Sequence, residues 1–121
     1  MRRIITIALA LLCVGGFALA NNFANKKTIK EVMKAGLGGD SSLCKKVVSG
    51  DASDEEKKKF LDLLIDLVEN EPPKGDGVEW KMQSGTAMLA AAKVVTGREG
   101  GLDELKAATN CKACHDKFKG K

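Results

Sequence analysis

From Ile29 to Phe118 the apolar residues recur at intervals of three and four. Gly36, Gly38, Gly39, Gly50, Pro72, Pro73 and Gly97 interrupt the pattern. This is the spacing of one helical face, and no stretch offers the alternation of a credible strand. The spacing predicts a first helix from about Asn25 to Leu37, with Ile29, Val32, Met33 and Leu37 on one side. A short helical turn follows, capped by Asp40 or Ser41, with Leu43, Cys44, Val47 and Val48 inward and Gly50 closing it. Ser53 with Glu56 three residues on reads as a capping box, and Asp54 and Glu55 suit the positive end of the dipole. It opens a second long helix with a stripe of Phe60, Leu61, Leu64, Leu67 and Val68, which Pro72 and Pro73 stop. Asp76 with Glu79 opens a third helix to about Thr96, lined by Trp80, Ala87, Ala91 and Val94. Its alanine-rich run, Ala87 to Ala92, lets a neighbour pack closely. A last helix runs from about Leu102 to Lys119, with Leu105, Ala108 and Phe118 inward. Four helices with short connections favour an all-α, up-down-up-down four-helix bundle.

The start of the chain reads differently. Met1-Arg2-Arg3 is a positive n-region, Ile4 to Ala20 carries no charge, and Ala18-Leu19-Ala20 supplies the small residues of a cleavage site. Residues 1–20 are therefore expected to be a signal peptide, and residues 21–121 one exported domain, periplasmic or equivalent, with no membrane insertion after cleavage. An uncleaved anchor is the alternative, and a lipoprotein site at Cys13 fits poorly because Leu12 precedes it.

Composition excludes more than it selects. The 121 residues hold 20 Lys and Arg against 16 Asp and Glu. Arg2 and Arg3 leave with the signal, so the balance is only slightly positive, unlike the dense basic footprint of a nucleic-acid binder. The closest to a basic patch is the tail, with Lys112, Lys117, Lys119 and Lys121. Beyond the signal, aromatics are limited to Phe23, Phe60, Trp80 and Phe118. A core this poor in rings closes more easily around an embedded cofactor.

Cys111-Lys112-Ala113-Cys114-His115 carries the chemistry. Thiols at i and i+3 on a helix share a side, so both can reach the two vinyl groups of one haem as thioethers. The adjacent His115, the only histidine, can supply the proximal nitrogen to iron. A thioredoxin-like reading wants a βαβ setting, a zinc reading wants further ligands that Cys44 alone does not supply, and chance on a surface helix is the third alternative. Cys44, among Leu43, Val47 and Val48, reads as a buried thiol, with an intermolecular disulfide as alternative.

An all-α exported chain with this motif near its C-terminus resembles the class II cytochromes c, the cytochrome c′ group. The continuation of the motif to an aromatic and a basic residue, here Phe118 and Lys119, is similar to the group as well. The resemblance implies a cytochrome c′-like bundle with one covalent haem c on Cys111 and Cys114. Phe118, Lys119 and Trp80 are then expected in the haem pocket. Members often carry an arginine early in the first helix near a haem propionate, whereas this chain has Lys26, Lys27 and Lys30.

In such a bundle the first and last helices run antiparallel, so Met33 falls at the end where the haem motif lies. A thioether is a standard ligand opposite histidine. Methionine-ligated members of the group use a residue in this helix, and Met33 is the expected distal ligand. Met82 is the reserve candidate and Met88 a weaker one. His/Met ligation implies single-electron transfer and no enzyme activity, with redox proteins of acidic surface as partners and a homodimer through the first helix possible. The alternative is a five-coordinate protein binding nitric oxide or carbon monoxide, with Met33 as core only. A peroxidase is disfavoured by the lack of a second histidine and by Arg98 being the only arginine after the signal.

Overall fold

The computed structural model describes residues 26–39 and 42–120, and these are all-helical, with no strand. The signal-peptide reading, Asn25, Asp40, Ser41 and Lys121 lie outside the described residues. Helix α1 covers Ile29–Val32 and continues as a π-helical turn, Met33–Leu37. After it come α2 (Leu43–Ser49), α3 (Asp54–Glu69), α4 (Gly77–Val95), α5 (Gly101–Ala108) and α6 (Cys111–Phe118).

Short polar side chains set the helix starts. Thr28 and Glu31 form a reciprocal capping box on α1: Glu31 N–H donates to Thr28 Oγ1 (3.2 Å) and Thr28 N–H donates to Glu31 Oε2 (2.8 Å). Ser42 caps α2, Ser53 caps α3 by accepting from Glu56 N–H (3.2 Å), and Asp76 caps α4 by accepting from Val78 and Glu79 N–H.

The expected single last helix is two helices. Thr109 Oγ1 donates back to the Leu105 carbonyl (2.8 Å), Asn110 is extended, and the Asn110 side chain accepts from Ala113 N–H (3.1 Å). A threonine and an asparagine whose side chains bond locally offer the backbone an alternative to continuing the helix, and here that alternative wins. The Cys111-Lys112-Ala113-Cys114-His115 motif thus starts a helix of its own.

Helix α4 packs on both α3 and α5, while α1 lies on α3 and α2 bridges α3 and α5. The core is Val32, Val47, Phe60, Leu63, Leu64, Leu67, Trp80, Ala87, Ala90, Ala91, Leu105 and Phe118 with a few smaller residues. Leu63 belongs to the buried stripe, while Leu61 and Val68 sit at its margin. Gly36 explains how α1 comes so close: a Cβ there would lie 2.5 Å from Leu63 Cδ1.

Asn70, just past α3, ties three elements together. Its side-chain nitrogen donates to the Lys27 and Asp66 carbonyls (2.8 and 2.7 Å), and its own carbonyl accepts from Trp80 Nε1 (2.9 Å). The 72–76 turn then backs onto the end of α6. Gly75 has φ +88°, and a Cβ on it would stand 2.9 Å from both the Lys117 carbonyl oxygen and Phe118 Cδ1. Gly75→Ala combines a left-handed backbone with a steric collision against main chain. It should cost about 2 kcal/mol or more, read as a lower urea midpoint at unchanged m-value. A loss of only a few tenths would show that the turn is free to move away from α6.

Candidate functional site

A large cleft, about 790 Å³, opens between α1, α4 and the α5–α6 segment. Its size falls within the roughly 300–1,000 Å³ of cofactor and ligand sites. Each wall follows from a local feature. The π-helical turn begins at Met33 and closes where Gly38 N–H donates to the Met33 carbonyl (2.7 Å), and Met33, Leu37 and Gly38 line one wall. A π-turn of this kind is rare and is found disproportionately at functional sites. Leu64 and Leu67 of α3 form the floor with Trp80, Ser84 and Ala87 of α4.

Helix α6 lines the cleft as well. Its N-cap Asn110 fixes the start of the helix, so Cys111, Cys114, His115 and Phe118 fall at successive intervals of three, one and three, and all four line the cleft. Cys111 and His115 remain exposed and Cys114 is half-buried. Phe118 is 2 % exposed and meets Trp80 edge-on, with ring centroids 5.3 Å apart and planes at 78°. This contact anchors α6 to α4. Trp80 is held in turn by its bond to the Asn70 carbonyl, and Ser84 Oγ donates to the Trp80 carbonyl at 2.6 Å.

Burial pushes the Cys114 thiol above its usual pKa, and the neighbouring Cys111 adds to the shift. Cys44 is 7 % exposed, and desolvation raises its pKa too, against a lowering hydrogen bond with the Thr109 side chain. Both thiols are therefore held protonated at neutral pH. Cys44 does not line the cleft, in keeping with a buried structural thiol. No group of three or more His, Cys, Asp or Glu side chains that could hold a metal occurs among the described residues. A zinc site built on the two motif cysteines has no support there.

The expected pocket residues thus converge: Met33, Trp80, Cys111, Cys114, His115, Phe118 and Lys119 all border one space. Met82 does not. It is 68 % exposed, because α4 turns Trp80, Ser84 and Ala87 to the interior and carries Met82 to the outside. Contrary to the expectation for a reserve ligand, Met82 does not reach the cleft. Met88 packs against the core and is likewise not at the cleft.

Asn70, Gln83 and Asn110 also border the cleft and were not anticipated; an asparagine directly before the CxxC was a readable cap signal. The charged residues in the lining are Lys30, Lys119 and Glu71. In the basic tail, Lys112 is engaged by Asp116 at 2.9 Å, which reduces the local positive rim. No helix among the described residues is long and apolar enough to cross a membrane. Comparison with known protein families, characterised proteins and solved structures gives no match.

Proposed function

We propose that this chain is an exported monohaem c-type cytochrome that carries single electrons and has a cytochrome c′-like bundle architecture. One observation carries the reading: the two cysteines and the histidine of the CxxCH motif line the same largely apolar cleft as Met33. The residues present fit a haem. The cleft has cofactor dimensions, its lining includes leucine, alanine, tryptophan and phenylalanine, and two thiols, an imidazole and a thioether all border it.

Cys111 and Cys114 would hold the group as thioethers, His115 would supply the proximal nitrogen and Met33 the distal sulfur. Bound haem supplies a reversible one-electron couple, which none of the side chains here offers. The remaining work falls to the chain's own residues. Trp80 and Phe118 exclude water, the hydrogen-bonded Asn70 holds Trp80 in place, and Lys30 and Lys119 offer cations to propionates at the mouth. With both His115 and Met33 holding the iron, the group would supply electron transfer rather than substrate turnover, and methionine would favour a higher potential than a second nitrogen ligand.

The test is covalent attachment. The protein purified after export should exceed the chain from Asn21 by the mass of one haem, and acid-acetone should leave the colour with the protein. Cys111→Ala or Cys114→Ala should leave a single thioether and reduce the loaded yield. Haem that extracts freely, or zinc in its place, overturns the proposal.

A further inference from the structure

Residue 38 is a glycine for a reason that its own backbone does not supply. Its φ of −94° and ψ of 147° are extended values that any residue adopts. What stands in the way of a side chain is Met33. A Cβ at position 38 would lie 3.1 Å from the Met33 carbonyl oxygen and 3.8 Å from its carbon, and beyond its chain neighbours it would meet nothing else within 4 Å. Carbon–oxygen contacts ordinarily begin at about 3.3 Å, so a methyl group there is too close by a few tenths of an ångström. The bond that closes the π-turn, from Gly38 N–H to the Met33 carbonyl at 2.7 Å, draws the two together. Met33 is thereby the joint between two helix types. Its N–H is shared between the Ile29 and Lys30 carbonyls of the α-helical turn, while its carbonyl serves the wider π-turn.

A backbone tied at both of its peptide groups fixes the direction in which its side chain leaves. Methionine is unbranched and turns about three side-chain bonds, so a defined sulfur position depends on a defined starting direction. We propose that Gly38 is a positioning residue for Met33: by closing on the Met33 carbonyl without a Cβ between them, it aims the thioether into the cleft. The inference rests on the reading of Met33 as the distal ligand and adds to it the residue that sets its aim. Gly36, in the same turn, has a different neighbour. A Cβ there would meet Leu63 and Leu43 and no atom of Met33, so that glycine serves the packing of the turn against α3 and α2.

The haem-loaded protein carries the test. Gly38→Ala adds one methyl at an allowed φ and ψ, and Gly38→Val adds a larger, branched group at the same place. The near-infrared band of sulfur-to-iron charge transfer should weaken in Gly38→Ala and disappear in Gly38→Val. Carbon monoxide should bind the reduced Gly38→Ala protein about ten-fold faster, since a misplacement of about 1 Å at a functional group can cost a hundred-fold. Ala90→Gly controls for plain loss of stability, because Ala90 is buried in α4 and does not border the cleft. It should lower the urea midpoint and leave the band and the carbon monoxide rate unchanged. If both Gly38 variants keep the band and the rate of the parent protein, the flexible thioether absorbs the shift; the proposal is then overturned while Met33 remains the ligand. Equal losses in Ala90→Gly overturn it too, and make Gly38 a residue of stability alone. A parent protein without the band shows, before any variant is made, that Met33 is no ligand, and the proposal falls with that reading.

Discussion

In the haem-loaded protein, Met33→Leu is expected to turn a low-spin, six-coordinate spectrum into a high-spin one. The substitution nearly conserves volume, and Met33 is only half-buried at the cleft wall, so the stability cost should stay below about 1.5 kcal/mol. A large spectroscopic change with a small stability change is the signature of a lost ligand rather than a disturbed core. The weak near-infrared band of sulfur-to-iron charge transfer should vanish, the reduction potential should fall, and carbon monoxide should bind where it did not before. Met82→Leu, on the exposed face of α4, should change none of these. A wild-type protein that is already high-spin and binds carbon monoxide readily would make Met33 a packing residue and favour gas binding. Retention of the near-infrared band in Met33→Leu would place the sixth ligand elsewhere.

Phe118→Ala should have the largest effect on stability, about 3–5 kcal/mol, the range for removing a fully buried phenylalanine. Phe118 is the one buried residue of α6, and it touches Trp80, which Asn70 fastens to the end of α3. Its removal leaves a hole beside the cleft and releases the helix that carries Cys111, Cys114 and His115. Chemical denaturation should show the lower midpoint, and the Trp80 fluorescence maximum should move to the red as water enters. A loss under ~1 kcal/mol would mean that α6 does not depend on this contact.

Which parts were legible in the chain follows from where the information sits. Start signals made of one or two neighbouring residues are local, so the caps at Ser53 and Asp76 and the closing Gly50 could be read directly. The Thr28–Glu31 box is equally local, and the overall apolar period drew the helix start too early. The break between α5 and α6 was obscured for the opposite reason. Leu105, Ala108 and Phe118 keep a helical period across it, while Thr109 and Asn110 take the backbone for their own hydrogen bonds. The π-turn had no signature in composition. The close approach of Gly36 to Leu63, 27 positions away, is likewise a contact that no local pattern encodes. That Met33 borders the cleft is legible because its inward position belongs to the local apolar period of the first helix. Met82 was misassigned because sharing a bundle end does not fix which way a helix is turned.

Eight residues are too few for a helix to persist in water unaided, and α6 is eight residues long. It is bounded by the Asn110 cap at one end and by Phe118 at the other, and the packed layer of α3, α4 and α5 does not pass through it. The molecule therefore has two tiers of cooperativity. Release of the Phe118 anchor would free the segment that carries both thiols and the imidazole, while Leu63, Leu64, Ala90, Ala91 and Leu105 stay packed behind it. Opening of that segment is expected to cost less than global unfolding, and it would uncover the half-buried Cys114 beside the already exposed Cys111 while the packed body stays intact.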